Sequence, residues 1–322
     1  MRWLSLLCKL ALLCLRIEFS RLGLCGQSAV ENSIMNDMSA PSPRLAELRA
    51  QLDTLDDQLH DLFMQRAEIV KTVVAEGGKK GTKIRPGREA IILRRMLARH
   101  KGAWPAQAII RIWEEIFVAA LTIEGGQTLA IAGGEGSDTR LALAREYFGP
   151  LIPLRHHRNP AQTLNDLVPG GGAQLAILPG LDESDESHGS WWTMLAETEP
   201  PMYIIMKLPF WSPRAEGLPT GEAYVVATIP PDASGADHGF LLLDFNDEIS
   251  RSRISELVTG AGFVVQALWV KRLPNIPRFL ALVEVEGLVS STDPRLGAIS
   301  GLGQLARVVG GYALPITEAP IT

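Results

Sequence analysis

The chain has 322 residues, of which 46% are hydrophobic and 21% are charged, and its formal net charge is −5. A chain of this length and composition is expected to be a soluble protein of two or three globular domains. The charge excludes a general nucleic-acid-binding surface, and no apolar run beyond the first forty residues is long enough to span a membrane.

Residues 1–38 differ from the rest of the chain. They have a positive start and an apolar core, as a signal peptide does, but Lys9 interrupts the core and no small-residue cleavage site follows. The alternative is an upstream extension, with the true start at Met35 or Met38. We favour the extension, which predicts a cytoplasmic protein, whereas a genuine signal segment would predict export. The three cysteines lie in this segment, so the remaining chain has no thiol for catalysis, metal binding or a disulfide (Cys8, Cys14 and Cys25).

The pattern from residue 44 to 124 predicts three helices. The first has apolar residues at alternating three- and four-residue spacing, which is typical of a coiled-coil seam, and it should end near Gly77-Gly78. Pro86 suits the first turn of a second helix, and a third helix follows the segment KGAW. Three such helices cannot close a large core alone, so we expect a dimer. The seam consists of Leu45, Leu48, Leu52, Leu55, Leu59, Leu62, Ile69 and Val73.

Short strands and helices follow the glycines of the segment EGG, residues 124–126. The segments TLAIAG and AQLAILPG predict buried strands with two helices between them, and PPMYIIMKLPFW predicts a third strand. Residues 212–238 are rich in proline and glycine and are predicted to be mostly connection. We therefore expect a reduced α/β region over residues 127–238.

The last block, residues 239–316, has the order strand, helix, strand, strand, helix, strand. This βαββαβ order is typical of a ferredoxin-like domain. The predicted fold class is thus a multidomain protein with a helical domain, an α/β layer and a ferredoxin-like domain. The predicted elements are a strand at 240–245, a helix at 250–259, strands at 263–271 and 279–285, a helix at 294–307 and a strand at 308–314.

Arg66 is a candidate functional residue because it interrupts an otherwise apolar seam. A charge there must pair with a carboxylate or bind an anion, since an isolated buried charge is costly. A structural ion pair is the alternative to anion binding. Arg49 flanks the same seam, but the helix between them puts the two about 25 Å apart, so they could share a small ligand only across a dimer.

Two carboxylates and three lysines are further candidates. Glu124 continues the inward stripe of the third helix, where a carboxyl group should resist ionisation unless a cation is near. A frayed last turn is the alternative, because two glycines follow. Glu89 lies near the start of the second helix, where the helix dipole favours a carboxylate whatever the function. On pattern alone, Lys79, Lys80 and Lys83 form a solvated loop.

Two segments carry a family resemblance, namely LRAQLDTLDDQLHDLFMQRAEIV (48–70) and RPGREAIILRRML (85–97). They resemble the all-α class of chorismate mutases in the L-R-x-x-I-D-x-[IL]-D-x-x-[IL] opening, the inward Arg and the R-E helix start. The resemblance covers residues 44–124 and implies an intertwined homodimer. It also implies an intramolecular Claisen rearrangement of the dianion chorismate to prephenate, which needs positioning and positive charge but no nucleophile, metal or cofactor.

The resemblance assigns roles to the substrate-binding residues. It implies that Arg49 from one subunit and Arg66 and Arg88 from the other bind the carboxylates of chorismate. It implies that Glu89 hydrogen-bonds the hydroxyl of chorismate. It places Glu124 opposite the ether oxygen, to which a glutamic acid can donate only when protonated, so we expect better activity at mildly acidic pH.

One residue of the family pattern is absent. The lysine that faces the ether oxygen in the family would fall near Glu76 or Gly77 here. One of the loop lysines must therefore replace it if the site is to work well, and the candidates are Lys79, Lys80 and Lys83. Adjacent His156 and His157 do not predict a metal site, because neighbours on a strand point to opposite faces and no third ligand is spaced nearby.

The second half resembles a reduced prephenate dehydratase followed by an ACT module. The segments LAIAGGEGSDTRLALAREYFG and AILPGLDESDESHGSWW resemble parts of the dehydratase, and GGYALP (310–315) resembles part of the ACT module. Only 112 residues separate Gly126 from Gly239, too few for both dehydratase lobes, and His238-Gly239-Phe240 replaces the catalytic Thr-Arg-Phe motif. We therefore expect no dehydratase activity. The alternatives are a bifunctional mutase and dehydratase, and a catalytically silent ligand-sensing or scaffolding protein.

Overall fold

The structure is a computed structural model, and it describes residues 42–76, 83–183, 190–214, 216–273, 278–300 and 305–317. The N-terminal segment 1–38, the predicted helix end at Gly77-Gly78 and the lysines Lys79 and Lys80 lie outside these ranges. The contacts divide the chain into two units, Met1–Gln65 and Arg66–Thr322. Within the described ranges, no helix is both long and apolar enough to cross a membrane.

The three predicted helices are present with nearly the predicted bounds. They are α1 (Pro43–Ala75), α2 (Pro86–Arg99) and α3 (Ala106–Ile123). Pro86 occupies the first turn of α2, where its missing N–H and fixed φ cost nothing. No residue of α1 is buried in the single chain, and its seam leucines are 40% to 60% exposed.

The second unit is built on one mixed sheet of nine strands. Their order across the sheet is β2, β1, β3, β6, β4, β10, β7, β9, β8. The pairs β1–β2, β1–β3 and β4–β10 are parallel, and the other neighbouring pairs are antiparallel. The strands are β1 (Leu129–Ala132), β2 (Leu154–His157), β3 (Leu175–Pro179), β4 (Tyr203–Leu208), β6 (Ala223–Ala227), β7 (Asp237–Phe245), β8 (Val265–Arg272), β9 (Phe279–Glu286) and β10 (Leu305–Ala313), while β5 (Trp211–Ser212) pairs only with β11 (Ile316–Thr317).

Helices cover both faces of the sheet. The helices α2, α3 and α4 (Ser137–Phe148) pack on one face through an apolar cluster that includes Leu93, Phe117 and Phe148. The other face packs α5 (Pro160–Asn165) and a short 3₁₀ segment, Trp191–Ala196. This double cover explains why β1, β3 and β6 are buried along their whole length.

The ferredoxin-like arrangement is confirmed. The chain runs β7, α6 (Arg251–Gly260), β8, β9, α7 (Arg295–Ser300), β10, and these strands lie in the order β10, β7, β9, β8. Both helices pack on one face of these strands through a cluster that contains Ile254, Val258 and Ile299. The predicted order βαββαβ therefore corresponds to an antiparallel four-stranded sheet with two helices on one side.

The ferredoxin-like strands continue the sheet of the preceding α/β region. The connection is the parallel pairing of β10 with β4, where Gly310 lies opposite Ile204. Gly310 has a φ of +122°, and a Cβ atom there would lie 2.1 Å from the carbonyl oxygen of Ile204. Only glycine fits this close approach. The predicted domain boundary at residue 239 falls inside β7, which begins at Asp237, and the domain limits stay a prediction.

Three details of the predicted secondary structure are wrong. The strand β2 was not predicted, and β6 lies in the stretch predicted to be connection. The predicted helix at 294–307 is too long, because α7 ends at Ser300 and residues 305–307 belong to β10. Gly301 and Gly303 disfavour a continued helix, but the spacing of the apolar residues favours one, and the prediction followed the spacing.

Candidate active site

A cavity of about 790 Å³ lies in the second unit, next to the start of α2. Its walls come from the last turns of α1, from residues 83–86, from Glu124 at the end of α3, and from residues 229–232. Apolar side chains such as Ile69, Val73 and Ile229 form much of the wall. The cavity is large enough for a small organic molecule.

Among the residues that the structure describes, five charged ones line this cavity. Lys83 and Arg85 are the cations, and Glu76, Glu124 and Asp232 are the anions. Burial raises the pKa of Glu124, and the charge of Lys83 opposes this rise. The formal charge of the lining is negative when all three carboxyl groups are ionised, so a dianion would need a protonated carboxyl group or further cations.

Asp232 holds the first turn of α2. Its Oδ1 accepts a hydrogen bond of 3.1 Å from the Gly87 N–H, and its Oδ2 accepts one of 2.9 Å from the Arg88 N–H. The Nε of Arg85 lies 3.3 Å from the same Oδ2. Arg85 is the N-cap residue of α2 and makes no side-chain cap, so Asp232 takes the place of a local capping residue.

The close approach of α2 to residue 232 depends on Gly87. A Cβ atom at this position would lie 2.1 Å from the carbonyl oxygen of Asp232. Asp232 could not be predicted as a partner of α2, because it lies 144 residues beyond Arg88 in a proline-rich stretch. The one local signal was a glycine in the first turn of a helix, where better helix formers are common.

Arg94 ties the middle of α2 to the entry of the ferredoxin-like strands. Its guanidinium donates to the carbonyl oxygens of Ser234, Ala236 and Leu314 at 3.2, 3.2 and 3.0 Å. It also donates to the Ser234 hydroxyl at 2.9 Å. Residues 234–236 lead directly into β7, and Leu314 follows β10. The start and the middle of α2 are thus both attached to one short segment, residues 232–236.

Of the predicted site residues that the structure describes, two line this cavity. They are Lys83 and Glu124. Arg66 is half-buried, and burial lowers the pKa of its guanidinium, but it does not line the cavity. The Arg88 side chain is exposed and also lies outside the lining. Arg49 is exposed on the part of α1 that belongs to the first unit.

Glu89 does not line this cavity and is buried. Its carboxylate accepts a hydrogen bond from the hydroxyl of Tyr147 in α4. Burial raises the pKa of Glu89 to about 7, although this hydrogen bond opposes the rise. Burial also raises the pKa of Glu114 in α3 to about 8. Glu89 and Tyr147 are 58 positions apart, and no local pattern predicts their contact.

A second cavity of about 970 Å³ shares Lys83 and Glu124 with the first. It lies between the end of α3 and residues 149–153, and Gln127 is part of its wall. The Oε1 atom of Gln127 is buried without a hydrogen-bond partner, while its Nε2 donates to the Gly126 carbonyl oxygen at 2.7 Å. The pair Lys83 and Glu124 therefore separates two concave surfaces.

Two histidine clusters lie outside these cavities. His157 has its Nε2 2.8 Å from Oδ2 of Asp166, while the adjacent His156 is exposed, so the two histidines are in different environments. His238 in β7 has its Nδ1 2.6 Å from Oε1 of Glu284, which also accepts from the Tyr312 hydroxyl. Within the described ranges, no group of three or more His, Cys, Asp or Glu residues is placed to hold a metal ion.

The comparison with known families decides the nature of the helical segment. Residues 48–125 match the family model of chorismate mutase type II. The resemblance of the N-terminal helices to chorismate mutases is thereby confirmed. The match covers about a quarter of the chain, and it includes the end of α1, Lys83 and Glu124, which line the first cavity.

Curated relatives extend the likeness. The bifunctional chorismate mutase/prephenate dehydratase of Pseudomonas aeruginosa is 32% identical over 149 residues, which are 44% of this chain and 40% of that protein. The enzyme of the same name from Aquifex aeolicus is 30% identical over 128 residues, which are 38% of this chain and 34% of that protein. The chain thus matches less than half the length of these relatives.

Solved structures show a more distant likeness. A prephenate dehydratase from Streptococcus mutans is 14% identical, with a TM-score of 0.43, and the match covers 59% of this chain and all of that one. At this similarity the likeness carries no functional argument.

Proposed function

We propose that the chain is a chorismate mutase, an isomerase that rearranges chorismate to prephenate in aromatic amino-acid biosynthesis. The observation that carries the proposal is the match of residues 48–125 to chorismate mutase type II. The first cavity supports it, because a lysine and a carboxyl group with a raised pKa lie on its wall. If residues 1–38 are an upstream extension, the proposed location is the cytoplasm.

Lys83 and Glu124 are proposed to act on the ether oxygen of chorismate. The oxygen gains negative charge as its bond to carbon breaks, so a cation and a hydrogen-bond donor placed beside it stabilise the transition state more than the ground state. Lys83 supplies the cation in place of the family lysine. Glu124 supplies the donor when protonated, and its raised pKa favours that form.

The remaining binding groups are proposed to be completed by a second copy of the chain. The described residues of the first cavity carry no excess of positive charge, and neither Arg66 nor Arg88 is among them. The apolar seam of α1 is exposed along its length, so a partner helix could pack on it. Arg49 of the partner subunit, together with Arg66 and Arg88, would then bind the two carboxylates of chorismate.

The role of Glu89 toward the hydroxyl of chorismate requires a rearrangement. In the single chain its carboxylate is held by Tyr147 and is buried. The proposed contact with substrate therefore requires this hydrogen bond to open when the dimer or the complex with chorismate forms.

We propose that the second half has no prephenate dehydratase activity, since the sequence is too short for both dehydratase lobes. Two alternatives are retained. A bifunctional enzyme is favoured by the names of the relatives, which are bifunctional chorismate mutase/prephenate dehydratases. A silent sensor or scaffold is favoured by the loss of the family lysine.

The proposal is tested by substitution of Arg66. Arg66→Ala should reduce the rate of chorismate loss at least a hundredfold, because water cannot replace a half-buried arginine that binds a carboxylate. Arg95→Ala, at an exposed position of α2, is the matched control and should leave the rate unchanged. Equal rates for both variants would show that Arg66 does not bind chorismate, and a lowered melting temperature of Arg66→Ala would then assign it a structural role only.

A further inference from the structure

We propose that Asp232 is a positioning residue of the mutase site, which fixes the start of α2 and holds Arg85 on the cavity wall, where Arg85 binds a substrate carboxylate. Asp232 lies 107 residues beyond the segment that matches chorismate mutase type II. The inference rests on the proposed function. It adds two residues to the site, one of them from outside the mutase segment.

Asp232 stabilises the start of α2. The first N–H groups of a helix have no partner within the helix, and a side-chain oxygen that accepts from them stabilises the helix by about 1 kcal/mol. Asp232 accepts from two of these groups, at Gly87 and Arg88. Because no Cβ atom would fit at Gly87, the helix start lies directly against the backbone of residue 232. The cavity wall at 229–232 and the start of α2 are therefore one rigid unit.

Asp232 also contacts Arg85, which lies on the cavity wall. Its Nε lies 3.3 Å from Asp232, and its side chain is 51% exposed at the cavity. The Asp232 contact uses Nε, so the terminal nitrogens can face a ligand carboxylate in the forked geometry that arginine prefers. Arg85 is the arginine among residues 83–86 that lines the cavity, whereas the side chain of Arg88 does not. Among the described residues of the single chain, it is thus the arginine at the start of α2 that lines this cavity.

A comparison with Asp237 distinguishes the positioning of Arg85 from stabilisation of the fold. Asp237, five residues further along, caps the same segment by accepting from the N–H groups of Ser234 and Gly235 at 2.9 to 3.1 Å. It is buried, as a structural cap should be, but it does not line the cavity. Loss of either aspartate should destabilise the fold, but only loss of Asp232 should release Arg85.

The test compares Asp232→Ala, Asp232→Asn, Arg85→Ala and Asp237→Ala in the full chain, at a temperature well below the melting temperature of each. Asp232→Ala should raise the KM for chorismate about tenfold with kcat changed less than about twofold, because a binding contact is lost. Asparagine has one acceptor oxygen where Asp232 uses two, so Asp232→Asn should keep only part of these contacts and give a melting temperature and a KM between those of the parent and of Asp232→Ala.

The double variant tests whether Asp232 acts through Arg85. Arg85→Ala should raise the KM about tenfold by itself, and Asp232→Ala should add less than about twofold to it, since coupled residues are not additive. Asp237→Ala should lower the melting temperature and leave the KM unchanged. An unchanged or lower KM in Asp232→Ala, full additivity with Arg85→Ala, or an equal rise of KM in Asp237→Ala would overturn the assignment.

Failure of the inference is distinguishable from failure of the proposed function. If the parent protein consumes chorismate and Asp232→Ala has the parent KM, the role of Asp232 is wrong and the mutase function stands. If the parent protein consumes no chorismate, the proposed function and the role of Asp232 both fall.

Discussion

At the scale of single residues, buried carboxyl groups set the electrostatics of the helical segment. Glu89 and Glu114 lie where α2, α3 and α4 meet, and burial raises both pKa values, to about 7 and about 8. An unfolded glutamate ionises near pH 4.5, so the folded chain binds more protons than the unfolded chain between that pH and the raised pKa values. The free energy of unfolding should therefore fall as pH rises from about 5 to about 8.

Glu89→Gln should flatten this pH dependence. The amide oxygen still accepts the Tyr147 hydrogen bond but carries no charge, so at pH 8 the variant should be more stable than the parent by roughly 2 to 3 kcal/mol, and at pH 5 by about zero. Denaturant unfolding at both pH values measures this. Glu256→Gln, at an exposed position of α6, is the control and should keep the parent's slope. A parent-like slope in Glu89→Gln would contradict the account.

Glu124 is expected to control the pH dependence of turnover. It donates to the ether oxygen only when protonated, and burial raises its pKa, so kcat/KM of the parent should rise as pH falls from 8 toward 5. Glu124→Gln carries an N–H donor at every pH and should have a flat profile. Glu76→Gln, on the same cavity wall, is the matched control and should keep the parent's profile. A sloping profile in Glu124→Gln would assign the titration to another group.

At the scale of secondary-structure elements, α2 is attached to the ferredoxin-like strands by Arg94. Arg94→Met keeps most of the apolar stem and removes the donors to residues 234, 236 and 314, so it should lower the free energy of unfolding by about 2 to 3 kcal/mol. Arg99→Met, at an exposed position of the same helix, should change it by less than about 0.5 kcal/mol. Equal losses in the two variants would show that the Arg94 contacts contribute little.

The elements that could be predicted are those with a local signal. The helices α1, α2 and α3 follow from the spacing of apolar residues and from the positions of proline and glycine. The βαββαβ order follows from six successive segments, four with a strand-like pattern and two with a helix-like pattern. The strand β6 was missed because its short apolar run stands between prolines and glycines, which are typical of a connection. Lys83 and Glu124 could be predicted as site residues because they lie within or next to the helices. Tyr147 and Asp232 could not, because they lie far along the chain from the α2 residues that they contact.

At the scale of the whole molecule, the exposed seam of α1 predicts a homodimer. Leu52 and Leu59 are 60% and 51% exposed in the single chain, and leucines at this spacing pack on a second helix. Light scattering should give a dimer mass for the parent. Leu52→Asp combined with Leu59→Asp should give a monomer that has lost turnover. Thr54→Asp, which lies off the seam, should remain a dimer. A monomeric, active parent would contradict the shared site.

The continuity of the sheet could not be predicted from the sequence. It depends on one close approach, between Gly310 and Ile204, which lie 106 residues apart. The sequence pattern predicts an α/β region and a separate ferredoxin-like region. In the structure, the pairing of β10 with β4 makes their strands one sheet. The segment 232–236 then connects the combined sheet to α2.

The most direct test of the central claim is to incubate the purified full chain with chorismate and identify the product over pH 5 to 8. The account predicts that chorismate disappears, that prephenate accumulates, and that the rate is higher toward the acidic end. Phenylpyruvate as the product would show that the chain is a bifunctional mutase and dehydratase. Unchanged chorismate across the whole range would contradict the assignment of a mutase and favour a sensor or scaffold.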